Sequence, residues 1–177
     1  MRIVVNVFHA NLLDSRVNRA LADAARGAGA VVRDMYDLYP DDNIDIAAEH
    51  AVCESADVLV FQHPMYWYGA PYLMKKWIDT VLTHGWAYGS SYALEGKPFL
   101  QAVSLGAGEH EYAPTGSRKY HGPEFLKPFE RTAAFCKMPH SSFLRYGAGY
   151  AAEDEIGMWA GEYVSWLLSK DHLASNS

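Results

Sequence analysis

Residues 62–89, QHPMYWYGAPYLMKKWIDTVLTHGWAYG, decide the fold. The apolar run Val58-Leu59-Val60-Phe61 leads straight into them through Gln62-His63-Pro64. Three aromatics follow, Tyr66-Trp67-Tyr68, and then Gly69-Ala70-Pro71 opens a helical pattern with Leu73, Met74, Trp77, Ile78 and Val81 on one face. A buried strand therefore empties into an aromatic loop that turns at once into a helix. In an open parallel sheet such a loop lies beyond the carboxyl ends of the strands, where ligands bind. Pro64 and Pro71 stiffen it, since each fixes its own φ and restricts the residue before it. On this segment alone, the aromatics read either as a plug over the core or as a platform for a flat ligand.

The flanking sequence repeats the same alternation. Ile3 to Phe8 is an almost unbroken apolar run, the mark of a strand buried on both faces. Ser15 caps a helix with Val17, Leu21, Ala24 and Ala25 inward, ended by Gly27 and Gly29. Ala30–Tyr36 reads as a second strand, 37–45 as a polar connection, and Ile46–Ser55 as a helix. Asp57–Gln62 is the third strand and Pro71–Leu82 a helix. Pro98–Ser104 is a fourth strand running into the Gly-rich stretch Leu105–Gly108. Glu124–Cys136 reads as a helix, Ser142–Tyr146 as a fifth strand, and Glu153–Leu168 as a closing helix. The pattern predicts a three-layer α/β sandwich of flavodoxin type, with a five-stranded parallel sheet in the order 2-1-3-4-5. It forms a single domain over residues 1–170, with 171–177 as a flexible C-terminal tail.

Composition narrows the function classes. The chain has 177 residues, enough for one well-filled core. Its net charge of −6, without a basic stripe, argues against nucleic acid as a partner. Cys53 and Cys136, both in helical apolar settings, read as buried reduced thiols rather than a disulfide. The N-terminus lacks a signal-peptide pattern, and no apolar run has membrane-spanning length, so a cytoplasmic location is expected.

The junction after the first strand, His9-Ala10-Asn11-Leu12-Leu13-Asp14-Ser15-Arg16-Val17-Asn18, is neither GxGxxG nor a P-loop. Ser15 and Asn18 offer hydrogen bonds beside the free amides of a helix start, and His9 and Arg16 offer donor or positive groups. That chemistry suits one terminal phosphate, although a plain helix cap reads equally well locally. Met65, Tyr66, Trp67 and Tyr68 would give a planar ring its amides and aromatic surface. Ser104, Leu105, Gly106 and Ala107 would let backbone approach the same ring from the other side. Loops after strands one, three and four, adjacent in this strand order, thus describe a ligand with one phosphate and a flat polar heterocycle: FMN. Glu109, His110, Glu111 and His121 lack metal-ligand spacing, and no GxSxG elbow occurs, so neither a metal nor hydrolase chemistry is expected.

His9 with Ser15-Arg16-Val17-Asn18, Asp37-Leu38-Tyr39-Pro40, Asn43 to Glu49, Gln62 to Tyr68, Lys76-Trp77-Ile78-Asp79 and His84 to Gly89 carry a resemblance. The chain resembles the flavodoxin-like NAD(P)H:quinone oxidoreductases, and among them the ancillary flavoproteins of glutathione-regulated potassium-efflux systems. The HPMYWY and HGWAYG segments are the specific ones. The resemblance implies FMN, with FAD the cofactor of larger relatives, and ping-pong reduction of quinones by NADH or NADPH. It implies a homodimer with active sites at the interface, which the aromatics Trp67, Tyr68, Tyr72, Trp86 and Tyr88 would line. It also implies a Tyr and a His after the Gly-rich loop that assist hydride transfer. Tyr112 and His121 stand at comparable places, with Tyr120 a competitor for the first. A potassium-efflux transporter is the implied partner, with a peripheral position at the inner face of the membrane. A flavodoxin-type electron carrier and a regulatory subunit with secondary catalysis remain open as rivals.

Overall fold

The computed structural model describes residues 1–169; the expected tail lies outside them. The five strands are β1 Ile3–Val7, β2 Val31–Asp34, β3 Val58–Pro64, β4 Phe99–Ser104 and β5 His140–Arg145. All pair in parallel, in the order β2-β1-β3-β4-β5. Helices α1 Arg16–Gly27, α2 Met35–Leu38, α3 Ile46–Ser55, α4 Tyr72–Val81, α5 Lys127–Phe135 and α6 Glu153–Leu167 cover both faces. This is the expected flavodoxin-type topology.

Side-chain alternation along the strands divides the core in two. Ile3, Val5, Val7, Val58, Val60, Leu100 and Ala102 point toward α1 and α6, where Leu21, Trp159 and Tyr163 meet them. Val4, Phe8, Leu59, Phe61, Phe99 and Val103 point the other way, onto Met35, Leu73, Met74 and Trp77. Phe61 sits edge-on to both Trp77 and Phe99. Each such buried ring contributes roughly 1.5–3 kcal/mol of transfer free energy.

Tertiary structure moves several boundaries. β2 stops at Asp34 instead of Tyr36, because the Asp34 carboxylate accepts from the Tyr36 and Asp37 amides and starts the single turn α2. β3 continues two residues beyond Gln62, drawn on by pairing of His63 with Val103 and Pro64 with Ser104. β5 begins at His140 rather than Ser142 and ends one residue short of Tyr146, since it follows the register of β4. The helix expected from Glu124 is a 3-10 turn over Gly122–Leu126 before α5. Cys53 and Cys136 are free and buried; burial pushes the Cys53 thiol up to about 12, which makes it a poor nucleophile.

Two polar centres are closed inside this frame. Glu49 on α3 is fully buried and accepts from Arg33 Nη1 (2.9 Å) and Nη2 (2.5 Å), Tyr39 Oη (2.5 Å) and Trp77 Nε1 (2.7 Å). β2, Tyr39 and α4 thus meet on the α3 carboxylate, and Arg33 Nη1 also donates to Asn6 Oδ1 at 3.0 Å, which links β1 to the network. Burial alone would raise the Glu49 pKa; the bonds from Arg33, Tyr39 and Trp77 outweigh it and hold the value below the usual range. In the second centre, His63 Nδ1 donates to the Pro64 carbonyl (2.9 Å), which leaves Nε2 to accept from Gln101 Nε2 (3.3 Å). Gln101 Oε1 accepts in turn from His140 Nε2 at 2.8 Å. Burial lowers the His63 pKa to about 4, so its ring is neutral at physiological pH.

Candidate functional site

A cleft of about 350 Å³ opens beyond the carboxyl ends of β1, β3 and β4. His9, Ser15, Arg16, Val17, Asn18, Met65, Tyr66, Ser104 and Gly106 all line it, together with Asp14, Pro64, Ala148 and Gly149. Four loops that are far apart in sequence, after β1, β3, β4 and β5, thus meet because their strands are neighbours.

At one end stands the start of α1. Ser15 Oγ accepts from the Asn18 amide (3.2 Å), the capping bond expected at this position. As first-turn residues, Arg16 and Val17 keep amides without intrahelical acceptors, at the positive end of the helix dipole. His9 Nδ1 accepts from the Asn11 amide at 3.2 Å, so in the neutral ring the proton lies on Nε2 as a remaining donor. Burial holds the His9 pKa below its usual value against the pull of Asp34. Asn18 Nδ2 donates to Ser104 Oγ (2.9 Å) and ties this turn to the end of β4, while Asn18 Oδ1 is buried without a partner. The Arg16 guanidinium is engaged elsewhere, by Glu153 at the start of α6 (Nε 2.9 Å, Nη2 2.5 Å). What Arg16 offers the cleft freely is its backbone amide.

At the other end, Tyr66 and Gly69 exchange backbone hydrogen bonds of 3.2 and 3.0 Å around Trp67 and Tyr68. Both turn residues have positive φ, +48° and +61°, in a turn geometry that ordinarily selects Asn and Gly. Bulky residues held there are strained, and such strain collects at ligand sites. Trp67 is 95% exposed. Opposite, the carbonyls of Leu105, Gly106 and Ala107 accept from Ala148, Gly149 and Gly147 (2.9, 3.3 and 2.7 Å). With those carbonyls consumed, the Gly106 and Ala107 amides have no acceptor among the described residues. Leu105 itself is fully buried, its amide bonded to the Arg145 carbonyl, so its side chain packs the core rather than the cleft.

Trp67, Tyr68, Leu105 and Ala107 are not among the residues lining the cleft, and the remaining expected residues lie outside it too. Tyr112 is buried, with its ring against Tyr146 and Phe125, and burial raises its phenol pKa. His121 is exposed and starts the Gly122–Leu126 turn, its amide donating to Glu124 Oε1 at 2.8 Å. Trp86 and Tyr88 are half-buried: Trp86 stacks on His50 at 3.6 Å and donates to Glu54, and Tyr88 packs on Phe135. Of the five aromatics expected at the surface, Trp67, Tyr68 and Tyr72 are exposed, joined by Tyr66 in the same turn. Sequence reading missed Ala148 and Gly149; the run Gly147-Ala148-Gly149 after β5 was their signal.

The site's chemistry fits a flavin mononucleotide: a cluster of amide, hydroxyl and imidazole donors for an anion at one end, and amides framed by aromatic residues and glycine at the other. A family model described as flavodoxin-like fold matches residues 1–166. General stress protein 14 of Bacillus subtilis is 43% identical over 94% of this chain and 97% of its own length. The glutathione-regulated potassium-efflux system ancillary protein KefF of an Enterobacter species is 44% identical over 87% of this chain and 88% of its own. Among solved structures, general stress protein 14 of Treponema denticola, in complex with FMN, superposes with a TM-score of 0.90 at 37% identity, covering 94% of this chain and 98% of that one. A NADPH-quinone reductase from P. pentosaceus gives 0.87 at 25% identity, over 96% and 99% of the two chains. A protein described as a thermophilic tryptophan halogenase from Streptomycin violaceusniger gives 0.91 at 44% identity, over 94% and 98%.

Proposed function

Because the chain belongs to the family of flavodoxin-like fold, we propose that it holds FMN in the cleft and reduces quinones at the expense of NADH or NADPH. The observation that carries this reading is the meeting of strand-end loops in one cleft of small-molecule size, with unpaired amides at the start of α1 and at Gly106, whereas the Met65 and Tyr66 amides are spent on the Ser104 and Gly69 carbonyls. The FMN complex of the Treponema denticola relative and the quinone-reductase name of the P. pentosaceus structure support it. Bound FMN supplies a centre that accepts two electrons from the nicotinamide and delivers them to the quinone, solvent completing the proton balance.

The residues of this chain divide that work. The Arg16 and Val17 amides, the Ser15 and Asn18 side chains and His9 Nε2 hold the phosphate. Met65 to Tyr68 and Ser104 to Ala107 hold the ring, with the Gly106 and Ala107 amides as donors to its polar edge. Tyr112, kept protonated by burial, is suited to donate a hydrogen bond where negative charge develops. His121, exposed at the start of the Gly122–Leu126 turn, is the second candidate.

The working unit is a homodimer in this reading, joined across the exposed rings beside the cleft mouth. Tyr72 and Trp67 are apolar surface of the kind that marks an interface. The likeness to KefF supports a further association with a potassium-efflux transporter, which would place a cytoplasmic protein at the inner face of the membrane. Among the described residues, no helix is long and apolar enough to cross a membrane.

The test is anaerobic spectroscopy of the purified protein. The flavin band is expected to release as FMN on chromatography, bleach with NADH or NADPH and return with a quinone. A protein that carries no flavin and takes none up, or whose flavin the dinucleotides fail to bleach, would refute the reading. Light scattering is expected to give twice the chain mass; a monomer with flavin bound would remove the dimer.

A further inference from the structure

The second half of the segment between β4 and α5 runs against the charge of the rest of the molecule, although Glu109 and Glu111 lie earlier in it. The chain is acidic overall, at −6, yet residues 117–127, SRKYHGPEFLK, set Arg118, Lys119 and Lys127 against the single acid Glu124. The structure fixes where these cations stand. Arg118 Nη1 donates to the phenol oxygen of Tyr68 at 3.1 Å, which brings the guanidinium to the aromatic turn at the ring end of the cleft. Its nearest acid is Glu111, with Nε 3.6 Å from Oε2. That carboxylate is already shared with the Ser117 hydroxyl (2.8 Å) and the Gly108 amide (3.3 Å). Arg118 Nε is buried and has no hydrogen-bond acceptor.

Lys119 follows at once. It is exposed, with φ +67°, and among the described residues it has no ion-pair partner. The rings of Tyr68 and Tyr120 both pack on Phe125, at 5.1 and 6.0 Å, so the exposed Tyr120 ring belongs to the cluster that Arg118 touches. Two adjacent cations, one only loosely paired with Glu111 and the other without an ion-pair partner among the described residues, beside an exposed aromatic ring form a receptor for an anion joined to a flat base. Guanidinium is suited to phosphate oxygens because its donors are planar and forked.

We propose that Arg118 and Lys119 bind the diphosphate of NADH or NADPH, with Tyr120 beside the adenine. This rests on the reading that a nicotinamide dinucleotide is the reductant, and it assigns to that substrate residues outside the flavin-binding set. The diphosphate is common to both dinucleotides, so both are affected alike.

The experiment is anaerobic rapid-mixing reduction of the bound flavin over a range of NADH and NADPH concentrations. The proteins are the wild type, Arg118→Ala, Arg118→Lys and Lys119→Ala, with flavin content checked in each. Arg118→Ala is expected to raise the dissociation constant about tenfold for both dinucleotides, Lys119→Ala severalfold, and Arg118→Lys by less than Arg118→Ala. Wild-type affinity is expected to fall with ionic strength, and the Ala variants to lose part of that dependence. The phosphate-free reductant 1-benzyl-1,4-dihydronicotinamide separates lost phosphate binding from general damage. An equal weakening toward it would overturn the proposal, as would unchanged dinucleotide affinities or a loss confined to NADPH. A wild-type protein that neither dinucleotide reduces would instead overturn the parent reading of the reductant.

Discussion

The Glu49 centre and the cleft are both polar and are packed around the same five strands, but they resolve their hydrogen bonds in opposite ways. Around Glu49, both carboxylate oxygens are doubly matched and their partners come from separate elements. In the cleft, donors outnumber acceptors: amides at the start of α1, at Gly106 and Ala107, and His9 Nε2 remain unspent. Buried polar groups are ordinarily paired, so a region where donors gather unpaired is one built to meet something else. A satisfied polar centre is architecture; an unsatisfied one at the strand ends is a site.

The sharpest way to break that contrast is to open the closed centre. Glu49→Gln leaves the largely buried Arg33 without its counter-charge and is expected to cost about 3–5 kcal/mol of folding stability, read by denaturant unfolding. A loss under 1 kcal/mol would mean that the network is dispensable. Because the Glu49 pKa is depressed in the folded state, its contribution is fully present above the unfolded value near 4.3 and lost as pH falls through the lower folded value.

A smaller effect is expected at His63. Its folded pKa of about 4 lies below the unfolded value near 6.5, so only the unfolded chain takes up a proton between them. Stability is therefore retained above about pH 6.5 and declines below it, by about 2 kcal/mol between pH 7 and pH 5. His63→Gln should flatten most of that slope; an unchanged slope would move the titration to another group, with His9 and His140 next in line because burial lowers both.

The smallest effect has the opposite sign. Trp67→Gly removes a nearly fully exposed ring from a left-handed position, so the flavin-free protein is expected to gain about 1 kcal/mol in thermal unfolding while holding FMN less tightly. A destabilised Trp67→Gly protein would show that the turn is ordinary structure rather than a strained site.

The same contrast explains what could be read from the chain alone. The capped start of α1 was legible because its chemistry is local: Ser15, Asn18 and the first-turn amides lie within four residues. The strand order followed from two-faced apolar runs, and strand order brought the three loops together. Glu49 was not legible as a buried ion, since a Glu four positions after the helix-capping Asp45 looks like any solvated charge until Arg33, Tyr39 and Trp77 converge on it. The 109–125 segment was equally opaque. Its 3-10 turns and the contact from Arg118 to Tyr68 depend on residues 50 positions apart, and no periodicity announces them. Hence Tyr112 and His121 could be put forward by resemblance, while Arg118 emerged only in three dimensions.

The most direct test of the open-site claim is the FMN dissociation constant of the Ser15→Ala, Asn18→Ala double variant, measured by titrating flavin-free protein whose fold is checked by circular dichroism. Both changes remove hydrogen-bonding groups from the phosphate end, so the expected result is affinity weaker by about 1–3 kcal/mol. A folded double variant that binds FMN as tightly as the wild type would contradict the assignment of this cleft.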